Sequence, residues 1–212
     1  EIAEKAFEIG FTACGFAPVK ELSEEKEKLQ AWIKKGLHGN KKYLEAVDIR
    51  SNPEHLLNNA KTVISLATNY YPGNNLKIKN LKIAKFANGI DYHYVLKEKL
   101  NILAKFIKEN TNSENIKICV DTSPIMERAW AVKSGIGWIG KNNCLIIKGK
   151  GSFCFLSEII TDITFDYNTP YKQNHCGECR KCIDACPTNA LFEPYQIDIS
   201  KCISHISTDK EQ

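Results

Sequence analysis

Apolar positions along this chain fall into two rhythms. Residues 2–10 and 21–35 carry them at helical spacing, with Leu29, Trp32 and Ile33 on one stripe. Ser23, ahead of a Glu-rich turn, reads as the N-cap of the second helix. Between the two, 11–19 (FTACGFAPV) is apolar, glycine-broken and strand-like. In 34–44 (KKGLHGNKKYL) a helix ends at Gly36 and another starts after Gly39, and Asn52 before Pro53 starts the next. Residues 61–71 (KTVISLATNYY) read as a buried strand, PGNN at 72–75 as a turn, and 81–89 (LKIAKFANG) as an alternating strand. A strong amphipathic helix covers 91–110. IKICVD (116–121) is a short strand ending in an acid, and Ser123 with Pro124 opens a helix over 123–135. GIGWIGKNN follows as a loop, then 144–163 as two strands around a GKG turn. Irregular alternation of strands and helices predicts an α+β sandwich with mostly antiparallel pairing. After YNTPY the chain turns to short cysteine-bearing segments. This places a boundary near 169–173, between a domain of 1–170 and a smaller one of 171–212.

A hydrophobic fraction of 43% and a charged fraction of 25% are those of an ordinary globular protein. No stretch approaches a membrane span and no signal peptide opens the chain, so a membrane partner is not expected. The start is already in helical rhythm and lacks Met, which reads as a processed piece. A net charge of +4 is compatible with a polyanion such as RNA but decides little. Of nine cysteines, Cys14, Cys119, Cys144 and Cys154 stand singly in apolar strings and read as buried free thiols. The odd count and the clustering of the rest suit a reducing cytoplasm better than a disulfide scaffold.

The clustered cysteines carry the chemistry. CGECRKCIDACP sets Cys176, Cys179, Cys182 and Cys186 at iron–sulfur spacing with a proline directly after. Two CxxC pairs also suit zinc, which is the rival reading. Cys202 is a bystander thiol or, with Cys186, half of a second ligand set. GIGWIGK imitates a dinucleotide fingerprint, but a helix precedes it and a strand follows, the reverse of what that motif needs. Gly135 and Gly137 there cap the helix or let the backbone approach something flat and large. Asp121 is a turn carboxylate or, desolvated at its strand end, a general acid. Glu127 and Arg128 read as a surface pair, Arg50 as a solvated charge, and His93 as structural at a helix start that could also receive an anion.

The string VDTSPIMERAWAVKSGIGWIGKNNCLI, then GSFCFLSEIITD, CGECRKCIDACPTNAL and KCIS, resembles the epoxyqueuosine reductase family. GLHGNKKYL, VISLATNYY and KFANGIDYHYVL fit the same family in the same order, so the resemblance covers nearly the whole chain. It implies reduction of the epoxide of epoxyqueuosine in tRNA to queuosine, with cobalamin and two [4Fe–4S] clusters. The cobalamin would lie in a nitroreductase-like domain, fed by a ferredoxin-like domain and an external reductant. By the same resemblance Asp121 is the general acid, Arg50, Lys85, Asn143, Leu145 and Ser204 contact cobalamin, and Cys176, Cys179, Cys182, Cys186 and Cys202 are cluster ligands. The family carries eight cluster cysteines and five stand here, so the chain reads as a C-terminally truncated fragment. Its clusters are then expected to be incomplete and its tail disordered or rearranged. A corrinoid reductive dehalogenase-like enzyme and a ferredoxin-type electron carrier are the alternative readings.

Overall fold

The chain runs α1 (Ile2–Ile9), β1 (Ala13–Pro18), α2 (Ser23–Lys34), α3 (Val47–Ser51), β2 (Thr62–Asn69), α4 (Tyr92–Asn110), β3 (Ile116–Val120), α5 (Glu127–Lys133), β4 (Trp138–Ile139), β5 (Leu145–Ile146), β6 (Cys154–Thr161), α6 (Lys181–Asp184) and α7 (Ile203–Thr208). This is the order in a computed structural model that describes residues 1–71, 73 and 83–208.

Four strands form one antiparallel sheet in the order β1-β2-β6-β3. β2 is central, and its first six residues are all buried, because both faces of the sheet are covered. On one face lie α1 and α4. Leu96, Leu100, Leu103 and Ile107 recur at helical spacing on α4 and meet Ile64, Leu66 and Ile159 from the sheet. Each such side chain, fully buried, is worth roughly 1.5–3 kcal/mol. Asp91 caps this helix by accepting the His93 N–H at 2.9 Å. On the other face α5 sets Ala129 and Trp130 against Val63, Cys119 and Ile160. The result is the expected α+β sandwich with wholly antiparallel pairing in the main sheet.

Several local expectations are corrected. Ser23 is the first residue of α2 and makes no cap hydrogen bond; Leu22 before it is buried in the core and sets the entry instead. Ser123 and Pro124 do not open a helix. Ile125 is drawn into the core there, and α5 begins only at Glu127. The loop after α5 contains β4, which pairs with β5 as a separate hairpin, so β5 and β6 are not partners around the GKG turn. Residues 85–87, expected within a strand, form a 3-10 turn. The start of that expected strand and most of the PGNN turn lie outside the described residues.

The cysteine-bearing segment and the residues leading into it are tied to the rest of the chain by backbone and side-chain hydrogen bonds. Asn168 pairs with Phe16 like an added strand, its N–H donating to Phe16 O at 2.9 Å and its Oδ1 accepting the Phe16 N–H at 2.8 Å. Trp32 Nε1 donates to Ile197 O at 2.8 Å, and Ile199 N–H to Leu37 O at 2.9 Å. Among the described residues, no helix is long and apolar enough to cross a membrane.

Candidate active site

β3 delivers its last residue to an open edge where two clefts meet. Asp121 directly follows Val120, and its backbone stands at φ 45°, a left-handed conformation that strains a non-glycine residue. Its amide N–H donates to Glu127 Oε1 at 3.0 Å, which bends the 121–127 segment back on itself. One cleft, of about 280 Å³, is lined by Tyr70, Tyr92, Leu145 and Phe155 among others; the second, of about 230 Å³, by Leu29, Leu44 and Arg50. Asp121, Glu127 and Arg128 line both.

The Asp121 carboxyl is 53% exposed, so the desolvation expected for it is not found. The more enclosed acids are its neighbours, Glu127 half-buried and Glu158 fully buried. Burial, and after it the Asp121 carboxylate, pushes Glu127 up to about 7. Glu158 on β6 is fully buried, both oxygens lack a hydrogen-bond partner, and burial raises it well above the usual carboxylate range. It stands opposite Cys119 and Ser65 in the sheet, on the face covered by α5.

His93 reaches across from α4. Its Nε2 lies 3.2 Å from Asp121 Oδ2 and its Nδ1 2.8 Å from Asp91 Oδ1. Burial alone would lower this imidazole, but hydrogen bonds to the two carboxylates outweigh it and raise it. The Tyr92 hydroxyl is pushed up by burial and then by Asp121. The Tyr92 ring lies flat on Phe155, with centroids 4.1 Å apart and planes at 7°, and Tyr70 follows at 4.3 Å from Phe155. The first cleft therefore has an aromatic wall next to a carboxyl.

The sequence-derived contacts divide. Leu145 lines the first cleft and Arg50 the second, where Arg50 is half-buried over the Tyr43 ring rather than solvated. Asn143 is linked to the site by its carbonyl, which accepts from Arg128; its Nδ2 is buried without a partner. Lys85 lies over the Tyr71 ring at 3.9 Å, and Ser204 is exposed on α7; neither lines the two clefts. The Glu127–Arg128 surface pair is corrected: α5 starts at Glu127, which turns its carboxylate inward to the Asp121 N–H, while Arg128 goes to Asn143. Of the four single cysteines only Cys119 is fully buried; Cys144, just before β5, and Cys154, at the start of β6, line the first cleft.

Cys176, Cys182, Cys186 and Cys202 are half-buried and Cys179 exposed, all free thiols. Lys141 fastens their loop by donating to Gly177 O and, at 3.0 Å, to Cys179 O. The Leu191 N–H donates to Cys186 Sγ at 3.5 Å, and that bond foremost lowers this thiol. Among the described residues no three histidine, cysteine or carboxylate side chains converge on a point fit for a single ion, as zinc would require. The run of Cys176, Cys179, Cys182 and Cys186 with Pro187 directly after is a cluster-type donor set by its spacing. For a planar macrocycle the fit rests on the aromatic wall and on the orphaned Asn143 amide.

Sequence reasoning missed Glu127, Glu158 and the reach of His93. Glu158 had a visible signal: a carboxylate inside the apolar run LSEIIT of a central strand.

Comparison with known proteins adds the following. Residues 50–122 match the family described as epoxyqueuosine reductase QueG, DUF1730, and residues 175–212 match a 4Fe-4S double cluster binding domain. A curated relative from Cyclobacterium marinum, named epoxyqueuosine reductase, is 44% identical over all of this chain and 69% of its own length. A crystal structure of epoxyqueuosine reductase with an epoxyqueuosine-modified tRNA-Tyr stem loop superposes with a TM-score of 0.88 at 32% identity, over 99% of this chain and 56% of that one. The epoxyqueuosine reductase of Bacillus subtilis, solved with its catalytic aspartate loop swung out of the active site, superposes with a TM-score of 0.86 at 31% identity, over 99% and 56%. A B12-dependent reductive dehalogenase shares the fold alone, at a TM-score of 0.53 and 8% identity over 86% of this chain and 22% of that one. This chain thus spans just over half the length of the solved epoxyqueuosine reductases it matches.

Proposed function

The chain belongs to the epoxyqueuosine reductase family, and on that premise we propose that the whole protein removes the epoxide oxygen of epoxyqueuosine in tRNA, giving queuosine. One observation carries the reading: Asp121 is held in a strained conformation with its carboxyl at the junction of two clefts, beside an aromatic wall. When bound, cobalamin supplies a strongly reduced cobalt suited to attack on an epoxide carbon, and the clusters supply its electrons. The chain's own part is proton delivery and positioning. An oxygen leaving an epoxide is very basic, and Asp121 protonates it, a contribution of roughly a hundred- to ten-thousand-fold in rate. His93, fixed by Asp91, orients that carboxyl and exchanges protons with it.

Tyr70, Phe155 and Tyr92 are stacked on one another, and the side of that stack would line the corrin site. Arg50, Lys85, Asn143, Leu145 and Ser204 would contact the cofactor. Residues 1–170 form the cobalamin-binding catalytic domain and 171–212 the ferredoxin-like part. There Cys176, Cys179 and Cys182 hold one cluster and Cys186 and Cys202 contribute to the other. A cytoplasmic setting, with a soluble reductant docking near the cysteines, completes the reading.

Two experiments test it. Addition of cobalamin to residues 1–212 shifts its visible spectrum; an unchanged spectrum removes the cofactor from the reading. The full-length protein with Asp121→Asn binds cobalamin as the parent does yet turns over epoxyqueuosine-containing tRNA at least a hundredfold more slowly. Parent-like turnover would take the acid role away from Asp121.

A further inference from the structure

Asp121 and Glu127 stand six residues apart and close a small ring of chain through the 3.0 Å bond from the Asp121 N–H to Glu127 Oε1. The 121–126 segment lies between the end of β3 and the start of α5; Ile125 is buried in the core and its N–H donates to Ser123 O at 2.8 Å, while Asp121, exposed and strained at φ 45°, stands at the other end. A strained loop keeps one shape only if its surroundings fix it. Glu127 is well placed to do so, because it is the first residue of a helix whose Ala129 and Trp130 are buried against the sheet. The Glu127 backbone is therefore anchored even if the Asp121 segment moves.

We propose that Glu127 is a positioning residue: its carboxylate latches the Asp121 backbone and so holds the acid at the junction of the two clefts. This rests on the reading of Asp121 as the acid. Glu127 acts through the backbone of Asp121, since its bond is to the Asp121 N–H and not to the Asp121 carboxyl.

The titratable and charged groups around Glu127 come from five elements, with Tyr92 on α4 and Cys119 on β3 beside it as neutral groups. Asp121 at the end of β3 and Glu158 on β6 oppose its ionisation, while Arg128 on α5 and Arg50 on α3 favour it. Glu158, fully buried and unpartnered, keeps its proton, so Glu127 is the carboxyl behind Asp121 that changes charge near neutrality. Ionised, it accepts the amide hydrogen bond more strongly. The latch therefore tightens as pH rises through about 7.

Amide hydrogen exchange of the full-length protein reads the latch without cofactor or substrate. Glu127→Ala should speed exchange at the Asp121 amide about tenfold, the equilibrium worth of one hydrogen bond to a charged acceptor, with the amides of α4 and β6 unchanged. Glu127→Gln, which keeps a carbonyl acceptor, should restore protection to within about threefold and abolish its extra gain between about pH 6 and pH 8. In turnover of epoxyqueuosine-containing tRNA, Glu127→Ala should lower kcat with KM unchanged. Parent-like exchange at Asp121 in Glu127→Ala overturns the latch, even if turnover falls. Faster exchange spread over α5 and the sheet also overturns it, by showing a loss of fold. Latched exchange in a protein with no turnover upholds the latch and leaves only the reading of the reaction to fall.

Discussion

His93 Nε2 lies 3.2 Å from Asp121 Oδ2, a pair separated by 28 residues and brought together by α4 crossing the end of β3. Asp91, the cap of the same helix, holds the other ring nitrogen. The imidazole is thereby raised, so its contribution to stability is complete below its unfolded value, about 6.5, and is lost as pH rises through its folded value. His93→Gln should lower the melting temperature more at about pH 5.5 than at about pH 9. An equal deficit at both would show that the imidazole is not charged between the two carboxylates.

Glu158 gives the opposite sign. Its carboxyl is raised by burial, so the unfolded chain binds fewer protons than the folded one above about pH 4.5, and stability falls as pH rises. Glu158→Gln removes that linkage at constant shape. The variant should match the parent near pH 4 and melt higher at about pH 8, by scanning calorimetry. A variant that melts lower at pH 8 would mean that the carboxylate has a partner in the native protein.

Gly137 packs β4 directly onto β5. A Cβ there would meet Ile146 O at 2.2 Å, a clash with backbone that no side-chain rotation relieves. Gly137→Ala should cost roughly 1–3 kcal/mol in chemical denaturation, as overpacking does, with the β4–β5 hairpin displaced. Displacement of that hairpin also moves Leu145 at the first cleft, so weaker cobalamin binding should accompany it. Undiminished stability would place the close approach of the hairpin in doubt.

Cys186 accepts the Leu191 N–H, a bond that favours the thiolate needed by a cluster. Cys186→Ser in the full-length protein should remove one cluster and leave the other. Iron and acid-labile sulfide should each fall by about half. Full retention of iron would assign Cys186 to the fold rather than to metal.

How far the sequence reached follows from the range of each signal. α1, α4 and the strands of the main sheet were legible because a helical or alternating apolar rhythm is local. The cysteine run and the string around Asp121 were legible because their chemistry is written in consecutive residues. The start of α5 was not. Ser123 and Pro124 make a good helix opening by themselves, but burial of Ile125 and the bond from Asp121 N–H to Glu127 outweigh it.

By itself, then, the sequence determined an α+β core, a cluster-type set of thiols and an acid at a strand end. Tertiary structure alone decided which groups surround that acid. Glu127 looked like half of a surface pair and is its latch; Glu158 looked like one letter of an apolar strand and is a buried acid behind it. The physical reason is that alternation along a strand tells which face a side chain takes but not what is packed over that face, and a carboxyl's protonation depends on just that packing.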